Sequence, residues 1–119
     1  MLRKTAAAAL ALGALVTLPA LANARSTAQT VTAKETNFKI KLSAAPRHGT
    51  VKFVAKNVAK GVNHDLWIRG GGRTWHTKLI KPGKSATLTT TLKKGVRYKA
   101  WCHVDAHERL GMKLSFVAK

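Results

Sequence analysis

Within "WCHVDAHERLGM", residues Trp101 to Met112, the chain places its only cysteine, two of its five histidines and one of its two methionines. Cys102, His107 and Met112 follow the spacing Cys-x4-His-x4-Met, and a further imidazole, His64, lies far upstream in "NVAKGVNHDLWI". One thiolate, two imidazoles and a distant thioether form the donor set that suits copper in an electron-transfer site. The thiolate favours Cu(I), the imidazoles accept Cu(II), and a weak axial sulfur raises the potential. One short loop can supply three of these donors because all must converge on a point. The fourth, from a neighbouring strand, ties that loop to the scaffold.

Plainer readings compete residue by residue. Taken alone, Cys102 at the end of "YKAWC" reads as a small buried hydrophobe, and Met112 after Gly111 as ordinary core. The matched spacings together favour the metal. His103 is expected at a strand or rim, and His76 in "RTWHTK" and His48 in "PRHG" in solvated, loop-like stretches. A cysteine beside histidines could also serve nucleophilic catalysis, but no orienting acid or oxyanion loop accompanies it, so no enzyme is expected.

The elements that must position these residues read as strands. "NFKIKLS" sets Phe38, Ile40 and Leu42 against Lys39 and Lys41, an alternation of period two. Thr50 to Val58, His64 to Gly70, "SATLTTTL", "GVRYKAWC" and "MKLSFVA" follow the same pattern or β-rich composition. "GGGR" at Gly70 to Arg73 and "KPGK" at Lys81 to Lys84 are the loop and turn signals between them. With no helical run after residue 24, the pattern predicts an all-β, antiparallel sandwich or barrel in a single domain.

The N-terminus belongs to a different class of segment. Arg3 and Lys4 precede an Ala/Leu-rich stretch that ends at Ala22-Asn23-Ala24, the architecture of a cleaved secretory signal. A membrane anchor is the rival reading, opposed by the alanine content and by Pro19; no cysteine lies there to carry a lipid. The expected division is a signal peptide at 1–24 and one domain at 25–119, placing the protein in the periplasm or outside the cell. The whole chain carries 22 Lys and Arg against 4 Asp and Glu, for a net charge of +18. Residues 25–119 keep 20 of those cations and all four acids, for +16. An anionic partner or surface follows, and for an exported chain nucleic acid is not that partner. A lone cysteine forms no internal disulfide, and in an oxidising compartment a free thiol is a liability unless it is buried, paired or bound to metal.

"NHDLWI", "IKPGKSATLTTTLKKGVRYKAWC" and "CHVDAHERLGM" resemble the cupredoxins, the blue-copper proteins of the plastocyanin, azurin and rusticyanin type. The last stretch is also similar to the final copper motif of multicopper oxidases. Here, however, Trp101 stands where those oxidases place a histidine before the cysteine, and the His-x-His pairs of a trinuclear centre are absent. The resemblance implies an eight-stranded Greek-key sandwich and one mononuclear copper, with His64, Cys102 and His107 equatorial and Met112 axial. It further implies a monomeric one-electron carrier whose electron leaves through His107. The basic shell would steer an acidic redox protein, a cytochrome or an oxidase, and would touch an anionic envelope surface weakly. The alternative is a copper-delivery or copper-tolerance protein with no electron traffic.

Overall fold

A computed structural model describes residues 27–119; the segment read as a signal peptide lies outside the described residues. Eight strands follow in chain order: β1 (Gln29–Thr36), β2 (Lys39–Leu42), β3 (Gly49–Asn57), β4 (Trp67–Gly70), β5 (Arg73–His76), β6 (Ser85–Leu92), β7 (Arg97–Trp101) and β8 (Lys113–Val117). They form two four-stranded sheets, ordered β2-β1-β3-β6 and β5-β4-β7-β8. The chain changes sheet between β3 and β4, again between β5 and β6, and again between β6 and β7. This is the all-β sandwich expected, with one feature beyond the expectation: β1 pairs with β3 in parallel, while the other named pairs are antiparallel.

Alternation decides which side chains meet. Along β3, Val51, Phe53 and Ala55 are buried while Thr50, Lys52 and Lys56 are exposed. β1 and β6 turn Val31, Ala33, Leu88 and Leu92 to the same interior. From the second sheet Ile68, Tyr98 and Ala100 close the core, with Phe116 between Phe53 and Tyr98 at ring centroids of 6.1 and 5.7 Å. Tyr98 keeps its hydroxyl satisfied by accepting the Lys93 N–H at 2.8 Å, which also fastens the turn between β6 and β7. Gly70 makes room for that ring, since a Cβ there would collide with Tyr98 Cδ1.

Two elements differ from the sequence expectation. "RTWH" is an edge strand, β5, rather than part of a loop; it is exposed on nearly every residue and so lacks the apolar alternation that marks a strand. His64 precedes β4 instead of opening it and makes an isolated bridge to Ile80.

Candidate metal centre

His64 is held by its backbone from both sides. Its N–H donates to the Ile80 carbonyl at 3.0 Å, and the Ile80 N–H donates back at 2.7 Å. The connection before it, from β3, is shaped by buried Asn57. Asn57 Nδ2 donates to the Val62 and Ile80 carbonyls (2.7 and 2.9 Å), and its Oδ1 accepts from the Ala59 N–H (3.0 Å). Both polar atoms of that amide are occupied inside the fold, so the 58–63 connection has one path. After His64, Asp65 binds across to the other half of the site. Its carboxylate accepts the His103 N–H at 2.6 Å and the Trp67 indole N–H at 3.1 Å.

The loop from Cys102 to Met112 closes on itself. Cys102 N–H donates to the Met112 carbonyl, and Met112 N–H donates to the His107 carbonyl, both at 3.1 Å. Within it, the carbonyls of Val104, Ala106 and Glu108 accept from His107, Leu110 and Gly111. Gly111 has φ +106°, a conformation side chains other than glycine's rarely adopt, and it directs the chain back into Met112 and β8.

These two supports bring three donors together. His64 Nδ1 and His107 Nδ1 are 3.2 Å apart, and Cys102 Sγ lies 3.7 and 3.6 Å from them. A point equidistant from all three falls inside that triangle at about 2.0 Å, which matches metal–imidazole bonds of about 2.0–2.1 Å. Two nitrogens and one sulfur are therefore close enough to hold one ion, with the sulfur slightly nearer than the roughly 2.3 Å of a metal–thiolate bond. His64 and Cys102 have no exposed surface, and His107 retains 7%. Met112 is fully buried where its backbone closes the loop.

Burial disfavours charge on two of the three side chains. Burial, with the neighbouring His107 second, lowers the His64 pKa from its ordinary 6.5. Burial pushes the Cys102 thiol up to about 12, against the smaller pull of backbone N–H groups from Asp65 and Val104. The resting pair is a neutral thiol and a neutral imidazole. An ion that binds the thiolate must displace the Cys102 proton, so uptake releases acid.

The remaining histidines stay outside. His103 is exposed, with its ring 4.9 Å from Trp67; His76 stacks on the same indole at 4.2 Å and 12°; His48 Nδ1 lies 2.7 Å from the Lys119 carbonyl oxygen. Two neighbours of the cluster were not legible as site residues. Phe38, in a tight turn with φ +67°, packs against His107 at 5.0 Å. Its strained backbone is a cost held beside the most accessible donor. Glu35, on β1, is fully buried with neither carboxylate oxygen hydrogen-bonded. Burial, and then the charge of Asp65, raise its pKa to about 8. A polar residue between Lys34 and Thr36 in "AKET" reads as outward; only the strand register, with Ala33 and Val31 inside, reveals that it faces in.

No family model matches the chain, and no curated protein matches its sequence. Solved structures do match its fold. Dithionite-reduced auracyanin from the photosynthetic bacterium Roseiflexus castenholzii is 22% identical, with a TM-score of 0.62, over 79% of this chain and 98% of that one. Auracyanin B is 17% identical, with a TM-score of 0.66, over 79% and 91%. A multi-copper oxidase from Pediococcus acidilactici is 12% identical, with a TM-score of 0.52; the match takes in 82% of this chain but only 27% of the oxidase. The sandwich that gathers His64, Cys102 and His107 at one end is thus the cupredoxin fold, shared along nearly the whole length of the auracyanins.

Proposed function

We propose that this chain is an exported carrier of single electrons, working through one copper ion that His64, Cys102 and His107 would hold, with Met112 offering a fourth, thioether donor. The observation that carries the reading is the closed triangle of two Nδ1 atoms and one Sγ, with its centre at bond distance from each nitrogen. Copper, when bound, supplies a one-electron couple. The residues supply the rest. Cys102 gives up its proton and provides the covalent sulfur donor. His64, clamped to Ile80, and His107, braced by Phe38, hold the plane so that little need move between oxidation states. His107 is the edge of the cluster that reaches the surface, and an electron would leave through its ring. The dithionite-reduced form of an auracyanin supports a redox role for the shared fold.

Near-complete burial of the donors favours this reading over copper delivery, because a cargo ion must be handed on through an open coordination sphere. No catalytic step is assigned. The acidic partner protein expected from the charge would meet the copper end, where Arg109 is exposed between His107 and Met112.

The deciding experiment is the absorption spectrum on addition of Cu(II). The wild type should develop an intense visible band and keep its metal through cycles of reduction and oxidation, and Cys102→Ser should lose the band entirely. A serine variant that retains the band, or wild-type copper that exchanges freely, would defeat the electron-carrier reading.

A further inference from the structure

The outward residues of the β2-β1-β3-β6 sheet form a surface that the copper chemistry does not use. In register, Lys34 on β1 lies directly between Lys41 on β2 and Lys56 on β3. Lys39 and Lys52 extend the same face, and all five are exposed. The positions among them are mostly threonines, including Thr30, Thr87 and Thr89, with a half-buried Val54. Neighbouring strands are about 4.8 Å apart, and like charges set directly opposite each other destabilise a sheet. Three lysines in one row are therefore a standing cost unless an anion covers them.

No acid on the molecule does so. The four acidic residues are Glu35, Asp65, Asp105 and Glu108. Glu35 is buried beneath the face, and the other three lie before β4 or in the loop between β7 and β8. Among the described residues the one salt bridge is Lys99–Glu108, on the opposite sheet. That sheet also gives three of its five strand cations aromatic partners, Arg97 and Lys113 being the other two: Arg69 lies 5.2 Å and Lys99 5.0 Å from the centroid of Trp101, and Arg73 lies 4.8 Å from Trp75. The lysine row has nothing equivalent.

The composition of the face selects the kind of anion. Protein interfaces are enriched in aromatics, methionine and arginine and depleted in lysine. This face is lysine and threonine around one valine, with no aromatic, methionine or arginine, so it has no anchor that a protein pocket could take. Distributed ammonium groups suit an extended array of phosphates.

We propose that the outer face of the β2-β1-β3-β6 sheet docks the protein side-on to a bilayer of anionic phospholipid. The copper end then points along the membrane plane, open to a partner. The docking is independent of whether the copper carries electrons or is itself cargo.

The test is flotation of the exported, copper-loaded protein with vesicles of phosphatidylglycerol mixed into phosphatidylcholine, against phosphatidylcholine alone. Binding should require the anionic lipid and fall as salt screens it. Lys34→Gln, Lys41→Gln and Lys56→Gln combined should weaken it by roughly a hundredfold, at about fivefold per lysine. A control triple variant, Lys78→Gln with Lys94→Gln and Arg97→Gln, removes the same charge elsewhere and should weaken binding only a few-fold. The visible spectrum reports that both triple variants are folded. Equal losses in the two variants would mean that net charge, not this face, is responsible. Equal binding to neutral vesicles, no binding at all, or a face variant that loses affinity only for an acidic protein would each overturn the proposal.

Discussion

The two sheets of this sandwich use the same strand pattern for different ends. The β5-β4-β7-β8 sheet carries the proposed donors: His64 leads into β4, Cys102 leaves β7, and Met112 leads into β8. Three of its surface cations, Arg69, Arg73 and Lys99, are pinned to Trp101, Trp75 and Glu108. The β2-β1-β3-β6 sheet supplies no donor, and its lysines have no partner. It does, however, place Glu35 and the turn bearing Phe38 against the copper end. One sheet builds the centre, while the other supports it from below and faces outward with bare charge. The difference shows that alternation fixes only which side chains turn inward; what the inward residues do depends on the end of the sheet at which they sit.

The largest effect should come from the sheet that carries the donors. His107→Ala removes one corner of the triangle and should abolish the visible copper spectrum, whereas His103→Ala should leave it nearly unchanged. His103 contributes its backbone N–H to Asp65, which alanine retains, and its ring lies on Trp67. Spectra of the two variants with added Cu(II) are the check. The reverse result would mean that the loop is built on the adjacent Cys-His pair.

What could be read in advance follows the same division. The proposed donors of the last loop lie within eleven residues, so their spacing was visible without the fold, and the strands with one apolar face were visible for the same reason. Three features were not. β5 is an edge strand with little burial on either side, so no alternation marked it. The parallel pairing of β1 with β3 depends on which strand crosses over, a non-local choice that periodicity does not encode. Glu35 needed its register, because a glutamate flanked by polar residues announces solvent, and its burial is decided by the strand's phase.

Glu35 gives the second-largest effect, and it tests whether the supporting sheet is a passive platform. Its pKa is raised from 4.5 to about 8, so between those values the folded chain holds a proton that the unfolded chain has lost. The native state then binds more protons, and stability falls as pH rises through that window, by up to roughly 1.4 kcal/mol per pH unit. His64 acts in the opposite sense: its lowered pKa costs stability as pH falls below 6.5. In the copper-free protein, Glu35→Gln should remove the alkaline-side loss and leave the His64 loss in place. Urea unfolding at pH values of about 5 and about 8 measures it. The wild type should lose a few kcal/mol between them relative to the variant. Parallel pH profiles would show that Glu35 ionises freely and that the sheet beneath the site is electrically inert.

The smallest effect separates the two populations of charge. Arg109 is exposed in the loop between His107 and Met112, whereas Lys34 stands on the outer face of the other sheet. Exposed charges act over a Debye length of about 8 Å at physiological salt, so only the cations around the copper end should guide a partner to it. Guidance of this kind changes the encounter rate and its salt dependence, and it leaves the copper spectrum alone. Arg109→Glu should slow electron transfer to an acidic redox protein several-fold at low salt, with the difference closing as salt rises. Lys34→Gln should leave that rate within about a factor of two. It should also raise the thermal midpoint slightly, because it relieves repulsion from Lys41 and Lys56. Stopped-flow rates across ionic strength, with a basic redox protein as the control, make the measurement. If Lys34→Gln slowed transfer as much as Arg109→Glu, the partner would be reading the net charge of the whole molecule, and the division of labour between the two sheets would not extend to their surfaces.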